Sequence, residues 1–185
     1  MGAACLKTIA VLAAGAAGLL WGQAKGPANR LAPYVPSPEA VVIRMLELAE
    51  IKPGETLYDL GCGDGRILIL AAQRFHANAV GIELSEKLVR HAEAQAAQLG
   101  LQKRIKVIQG DMREADLRGA DVVTMYLSRQ TNEQLKPILK SQLKAGARVV
   151  SHDYPIVGWK PSRVEKVDVL NRPHTIYLYR MPPQE

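Results

Sequence analysis

Seven consecutive residues, Leu60-Gly61-Cys62-Gly63-Asp64-Gly65-Arg66, concentrate the chemistry of this chain. An apolar, strand-like stretch ending in Asp59 precedes them, and a helix-like stretch from Ile67 to Phe75 follows. A strand, a glycine turn and a helix in that order form a ligand cradle in open α/β sheets. The glycines stand at i, i+2 and i+4, whereas a dinucleotide fingerprint wants its third at i+5, the place of Arg66. Two acids, Asp59 and Asp64, belong to the turn. Carboxylates there would repel a pyrophosphate and attract a cation. S-adenosylmethionine (AdoMet), with a sulfonium and an ammonium, is a ligand of that kind.

Further acids fall in register with the turn. Glu83 closes the second strand-like stretch, eighteen residues after Gly65. An acid at that strand tip can accept both hydroxyls of a ribose. The alternative is an ordinary acid ahead of a helix that Ser85 would cap. Asp111 and Met112 end the third strand, where an acid can accept from an adenine amino group while Met covers the ring. Gly110-Asp111 after a strand is equally a turn sequence. All three groups would lie at the carboxyl ends of neighbouring strands, where open α/β sheets bind ligands.

The elements that must hold these residues follow from hydrophobic spacing. Ser37 is read as an N-cap and Pro38 as the first residue of a helix carrying Val41, Val42, Met45, Leu46 and Ala49. Strand-like runs follow at Leu57 to Gly61, Ala79 to Leu84, Ile105 to Gln109, Asp121 to Leu127 and Ala147 to His152. Helical runs alternate with them at Arg66 to Phe75, at Glu86 to Leu99, and at Gln130 to Leu143 with an interruption near Pro137. Val164 to Leu170 and Thr175 to Met181 read as two more strands joined at Asn171-Arg172-Pro173. The expected architecture is α/β: a Rossmann-like, doubly wound, seven-stranded sheet, mostly parallel, with a C-terminal antiparallel hairpin.

The 185 residues suffice for one domain and a short appendage. Thr8 to Ala24 carries no charge over seventeen residues, nine of them Ala or Gly, and Lys7 precedes it. It reads as a signal peptide with a small-residue cleavage site or as a marginal membrane anchor. The expected organisation is therefore a targeting or anchoring segment over 1–24, a linker over 25–37 and a catalytic domain over 38–185. Membrane association or export through this segment is expected, with the side of the membrane open. The net charge of +6 leaves room for an anionic partner. No dense Lys/Arg run occurs and only nine residues are aromatic, so nucleic-acid binding is not expected. With only Cys5 and Cys62, a disulfide framework is not expected. Four scattered histidines, His76, His91, His152 and His174, show no metal-ligand spacing, and no metal is expected.

Ser151-His152-Asp153 looks like a hydrolytic triad only on paper. Successive strand side chains point to opposite faces, so the three cannot relay a proton among themselves. Their place at a strand tip still puts one or two near a substrate mouth. No nucleophile elbow and no phosphate-binding Gly-Lys-Thr/Ser occurs.

The glycine turn, Glu83 and Asp111-Met112 resemble the class I, seven-stranded AdoMet-dependent methyltransferases over most of residues 38–181. Pro33-Tyr34-Val35-Pro36-Ser37, Asp59 to Ile67, Tyr126-Leu127 and Arg148 to Asp153 narrow the resemblance. They look like the protein-lysine methyltransferase family of the mitochondrial enzymes acting on the ATP synthase c subunit and the adenine nucleotide translocase, with small prokaryotic relatives. The resemblance implies that Asp59, Gly61, Gly63 and Gly65 hold the methionine end of AdoMet, Glu83 its ribose, and Asp111 with Met112 its adenine, with Asp64 of the turn also binding the cofactor. It makes Tyr34 and Tyr126 the candidate catalytic residues, lining the channel of a lysine side chain. Thr124-Met125-Tyr126-Leu127 stands where related amine methyltransferases keep Asn-Pro-Pro-Tyr, which argues against a planar amide or base as substrate. The expected reaction is methyl transfer from AdoMet to a lysine ε-amine of a protein, which could be a membrane protein. A small amine, a lipid head group or RNA as acceptor, or a non-catalytic AdoMet-binding module, are the alternatives.

Overall fold

The computed structural model describes residues 34–184. Thr8 to Ala24, and with it the expected targeting segment, lies outside them. Among the described residues no helix is long and apolar enough to cross a membrane.

The chain alternates strand and helix as its hydrophobic spacing requires. Helix α1 spans Glu39–Leu48, α2 Arg66–Arg74, α3 Glu86–Gln98 and α4 Arg129–Gln142. Strands β1 to β5 span Thr56–Leu60, Asn78–Glu83, Ile105–Gln109, Val122–Met125 and Arg148–His152. Strands β6 (Arg163–Val169) and β7 (Arg172–Arg180) close the chain. One seven-stranded sheet results, ordered β3-β2-β1-β4-β5-β7-β6. The first five strands run parallel, and β7 inserts antiparallel between β5 and β6. The order reverses between β1 and β4, so the ligand crevice of such a sheet falls outside the tips of these two strands.

Apolar side chains leave both faces of the sheet, and each face has its own core. On one face α1 and α2 bring Val42, Met45, Leu46 and Leu68 against Leu57, Val122, Val150 and Leu178. On the other, Leu135 and Leu139 of α4 pack on Val123, Met125, Val149 and Tyr179. Val149 and Val150, like Leu178 and Tyr179, are neighbours in sequence that serve opposite cores, as the twofold period of a strand demands. Edge strand β6 carries Arg163, Glu165, Lys166 and Asp168, charges that discourage pairing with another chain.

Several local expectations are corrected. Pro38, rather than Ser37, is the N-cap of α1, because Ser37 is drawn into the sheet's open end by a long-range hydrogen bond described below. Helix α4 runs through Pro137 unbroken, held by the burial of Leu135 and Leu139 on either side. Ser85 precedes α3 but makes no side-chain cap. Glu83 instead accepts from the Ser85 amide at 2.8 Å. The last hairpin turns on two residues, Leu170 and Asn171, with φ of 50° and 60°. Positive φ at both positions matches the strand twist of a tight hairpin, and Asn171 tolerates it without help.

Arg148 ties α1 to the sheet. Its guanidinium donates to the Ala49 carbonyl at 2.9 Å, just past the end of α1, and pairs with Glu55 at 2.5 Å. The pair holds Glu55 below its ordinary carboxylate range. Replacing Arg148 with Ala orphans the helix-terminal carbonyl and leaves Glu55 partly buried. Chemical denaturation is expected to show a loss of about 2–3 kcal/mol, the low end for a broken buried pair because Glu55 keeps some water.

Candidate functional site

Every sequence-predicted site residue lines or underlies one cleft above the tips of β1, β2, β3 and β4. The floor is the glycine turn. Gly63 sits at φ 57°, and a Cβ there would lie 2.5 Å from the ring of Tyr34. Gly65 sits at φ 82°, and a Cβ there would lie 2.9 Å from that of Ala92 on α3. The turn is therefore glycine-rich on two counts: the backbone is left-handed, and neighbours close in from above and from the side.

Asp59 lies at the bottom. It is 3% exposed and accepts one side-chain hydrogen bond, from Thr124 Oγ1 at 2.8 Å. Burial raises its pKa to about 7, with Glu83 and Asp64 adding repulsion against the relief from Thr124. Glu83 spans the rim between β1 and β2. Its Oε2 accepts from the Gly63 amide at 3.0 Å and its Oε1 from the Ser85 amide. The same carboxylate thus shapes the turn and faces the cleft.

Asp64 and Asp111 are each met by a guanidinium two residues on. Arg66 forks onto Asp64, with Nε at 3.0 Å and Nη2 at 2.7 Å. Burial works against the Asp64 charge, but the Arg66 contacts outweigh it and its pKa falls. Asp111 accepts from the Arg113 amide at 2.9 Å and from its guanidinium, capping a single turn of 3-10 helix at Met112–Glu114. The turn reading of Gly110-Asp111 therefore holds, and Asp111 and Met112 also line the cleft. Cys62, buried beside Asp59, has its thiol pKa pushed up by desolvation and by that carboxylate.

The roof is the strap Tyr34-Val35-Pro36-Ser37, and two contacts of Ser37 hold it. Its carbonyl accepts from Arg66 Nη1 at 2.9 Å, and its hydroxyl meets His152 Nδ1 at 2.8 Å. The Tyr34 ring covers Gly63, and its phenol, raised in pKa chiefly by burial, faces Asp64.

Tyr126, just beyond β4, forms the far wall. Its ring stacks on His152 with centroids 3.9 Å apart, and its hydroxyl donates to Asp153 Oδ2 at 3.2 Å. Tyr126, Val35 and Pro36 also border a second crevice with Val169, Leu170, Arg172 and His174. His152 contacts His174 Nδ1 at 2.9 Å, and Asp153 Oδ2 lies 3.1 Å from the same nitrogen. Burial lowers the His152 pKa to about 4, although Asp153 pulls the other way. Ser151 takes no part: it bonds the Tyr154 carbonyl, while Asn132 donates to it. The geometric objection to a serine relay therefore stands. His152 and Asp153 nevertheless approach each other at 3.4 Å, because Asp153 leaves the strand at φ 58°. The donor atoms of His152, Asp153 and His174 lie within 4.8 Å of one another, and their mutual hydrogen bonds account for that closeness.

Sequence reasoning missed Arg66, Ser37 and His174 as parts of this site. The Tyr-Val-Pro-Ser stretch carried a signal for Ser37. Nothing local could have singled out His174, which reaches the site only because β7 pairs with β5.

The chain is similar to several known methyltransferases. A family model described as the ANTKMT methyltransferase domain matches residues 59–163. A protein-lysine N-methyltransferase of Saccharolobus islandicus is 49% identical over 148 residues, covering 80% of this chain and 92% of the relative. The adenine nucleotide translocase lysine N-methyltransferase of Mus musculus is 33% identical over 138 residues. That match covers 75% of this chain and 60% of the mouse enzyme, so the chain spans only part of it. Among solved structures, an RNA methyltransferase from Salinibacter ruber in complex with S-adenosyl-L-homocysteine superposes with a TM-score of 0.75 at 45% identity. It is matched over 80% of this chain and 94% of its own.

The cleft generates a direct test. Gly63→Val places a branched side chain against the Tyr34 ring in a left-handed backbone. Calorimetry is expected to show AdoMet affinity reduced by more than about tenfold, equivalent to about 1.4 kcal/mol, with the fold retained by circular dichroism.

Proposed function

Since this chain belongs to the ANTKMT methyltransferase family, we infer that the acceptor of its methyl group is a lysine ε-amine on a protein. The observation that carries this reading is the 49% identity, over nearly the whole of the relative, to a protein-lysine N-methyltransferase. The chain is an AdoMet-dependent methyltransferase with a Rossmann-like, seven-stranded fold.

The cleft's donor set fits that ligand. Asp59, Asp64, Glu83 and Asp111 line it, and the guanidiniums of Arg66 and Arg113 are turned onto Asp64 and Asp111. What remains is net negative, with Asp59 bearing a charge that burial makes costly. A cation beside Asp59 relieves that cost. In this reading Asp59 and the turn formed by Gly61, Gly63, Asp64 and Gly65 hold the methionine end. Glu83 takes the ribose, and Asp111 and Met112 take the adenine. AdoMet supplies an activated methyl on a sulfonium, so the protein's work is alignment and exclusion of water. The strap and Tyr126 do that work. Tyr34 lies over the turn, Tyr126 stands between the two crevices, and both present hydroxyls that can orient an uncharged amine.

Exposed apolar side chains surround the same mouth. Tyr34, Val35, Tyr154 and Leu170 are 43%, 48%, 41% and 96% exposed. Such a rim suits a folded or membrane-embedded protein acceptor better than a phosphate backbone. The uncharged stretch Thr8–Ala24 supports a protein that works at a membrane. RNA is the second reading. It is favoured by the description of the 45% identical Salinibacter ruber protein and by the net charge of +6.

Two experiments follow. Incubation with radiolabelled AdoMet, a panel of membrane and soluble proteins, and total RNA is expected to place label on protein. Mass spectrometry should then find mono-, di- or trimethyl-lysine; label on RNA alone would establish the second reading. The other concerns pH. Asp59 has a folded-state pKa of about 7, above its unfolded value of 3.8. Its contribution to stability is therefore full below 3.8 and is lost as pH rises through about 7. Bound AdoMet favours the carboxylate, so its affinity is expected to fall as pH drops below about 7 and to plateau above it. Asp59→Asn should bind weakly with a flat profile, as read by calorimetry from pH 5.5 to 8.5.

A further inference from the structure

A second crevice adjoins the cofactor cleft. Tyr126, Val35 and Pro36 line both spaces, so the two meet at the tyrosine. His174 lies on the wall of this crevice, on β7, and is 3% exposed.

Its hydrogen bonds fix the tautomer. His152 is buried, and burial keeps it neutral. Asp153 Oδ2, a carboxylate oxygen that can only accept, lies 3.1 Å from His174 Nδ1, so His174 carries its proton on Nδ1. His152 Nε2, 2.9 Å from the same nitrogen, then faces it as an acceptor, and His152 Nδ1 donates to Ser37 Oγ at 2.8 Å. Asp153 is held in turn: Oδ1 accepts from the Thr175 amide at 2.9 Å and Oδ2 from Tyr126. Burial alone would raise the Asp153 pKa, but the Thr175 amide and the two histidines bring it below the ordinary range. His174 Nε2 has no hydrogen-bond partner among the described residues and is not sealed from solvent. It therefore presents a lone pair to the crevice, backed by a carboxylate on the opposite nitrogen, the arrangement of a general base and its orienter.

We propose that His174, oriented by Asp153, is the general base that deprotonates the incoming lysine ammonium in the second crevice before the amine passes Tyr126. The inference rests on the lysine reading above and adds to it the residue that prepares the acceptor. The ammonium loses one N–H bond and keeps the electron pair on nitrogen. The proton forms a new bond to His174 Nε2. The imidazolium is stabilised by Asp153 and later releases its proton to water at the crevice mouth. The need is plain, because a solvated lysine titrates near 10.4 and an ammonium has no pair to attack with.

Asp153 just beyond β5, His152 at the tip of β5 and Arg172 on β7 face His174. On β6, Lys166 and Asp168 flank Val167, the residue paired with His174, and carry opposite charges. Tyr126, with its pKa raised chiefly by burial and then by Asp153, stays neutral through this range.

The test uses the full-length protein, radiolabelled AdoMet and poly-L-lysine, with rates measured from pH 6 to 10. The wild-type enzyme is expected to transfer methyl to lysine with one ionisation on the acid side of kcat. His174→Ala should lower kcat by about 10²-fold at pH 7, while calorimetric AdoMet affinity stays within about twofold. The deficit should shrink as pH approaches the amine's own pKa, and added imidazole should restore part of the rate. His174→Gln and Asp153→Asn, compared by thermal melting, separate a base from a buried packing group: folded variants with the same acid-limb loss support the proposal. A wild-type enzyme that labels lysine while His174→Ala keeps its rate and pH profile would overturn the proposal alone. A deficit constant across pH and unrescued by imidazole would do the same. A wild-type enzyme that leaves lysine unlabelled would remove the lysine reading and this inference together.

Discussion

Ser37 is the joint on which the open end of this sheet depends. Its backbone carbonyl is claimed by Arg66 from the glycine turn, and its side chain by His152 from the tip of β5. The two contacts come from opposite halves of the doubly wound sheet, and the one to His152 is buried, where hydrogen bonds are stronger. Together they press the strap onto the cleft and put Tyr34 over Gly63. Without that joint, the cleft would lose its roof and the second crevice one of its walls. Helix α1 would also be unhinged at its start, because Pro38 follows directly.

The charges of the cleft divide into two kinds. Asp64 and Asp111 line the cleft but are each paired with an arginine two residues away, so part of their charge is spent on local structure. Asp59 and Glu83 have no such cation among the described residues. Glu83 makes hydrogen bonds to two backbone amides, and Asp59 has only a threonine hydroxyl. A carboxylate buried with so little compensation is destabilising in the absence of a ligand. It is also what gives a cationic ligand more to gain at this spot than elsewhere on the surface.

Much of this was legible in the sequence because it is local or periodic. The strand–glycine–helix junction, the acid at the end of β2 and the alternation of strands and helices all declare themselves within a few residues. Strand ends were read to within one residue for β1 to β3 and β5, where apolar runs stop at turn residues. β4 is shorter than its apolar run because Asp121 turns its carboxylate back to the Thr56 amide. What was illegible depends on partners distant in the chain. Ser37 looks like a helix cap until His152, more than a hundred residues away, is seen to claim it. Pro137 looks like a break until the packing of α4 overrides it. His174 is one of four scattered histidines until antiparallel pairing brings β7 alongside β5 and sets it against Asp153.

The hairpin that closes the chain sits apart from the nucleoside-binding half of the molecule. Leu170 and Asn171 turn it in two residues at the solvent edge, and Leu170 borders the second crevice but is not among the residues lining the glycine-turn cleft. Surface loop tips tolerate insertion and replacement far better than the elements they join. Changes in the length or character of this tip would therefore alter the second crevice while leaving the glycine turn untouched. A scaffold so divided is well placed to diversify its clientele without reinventing its reaction.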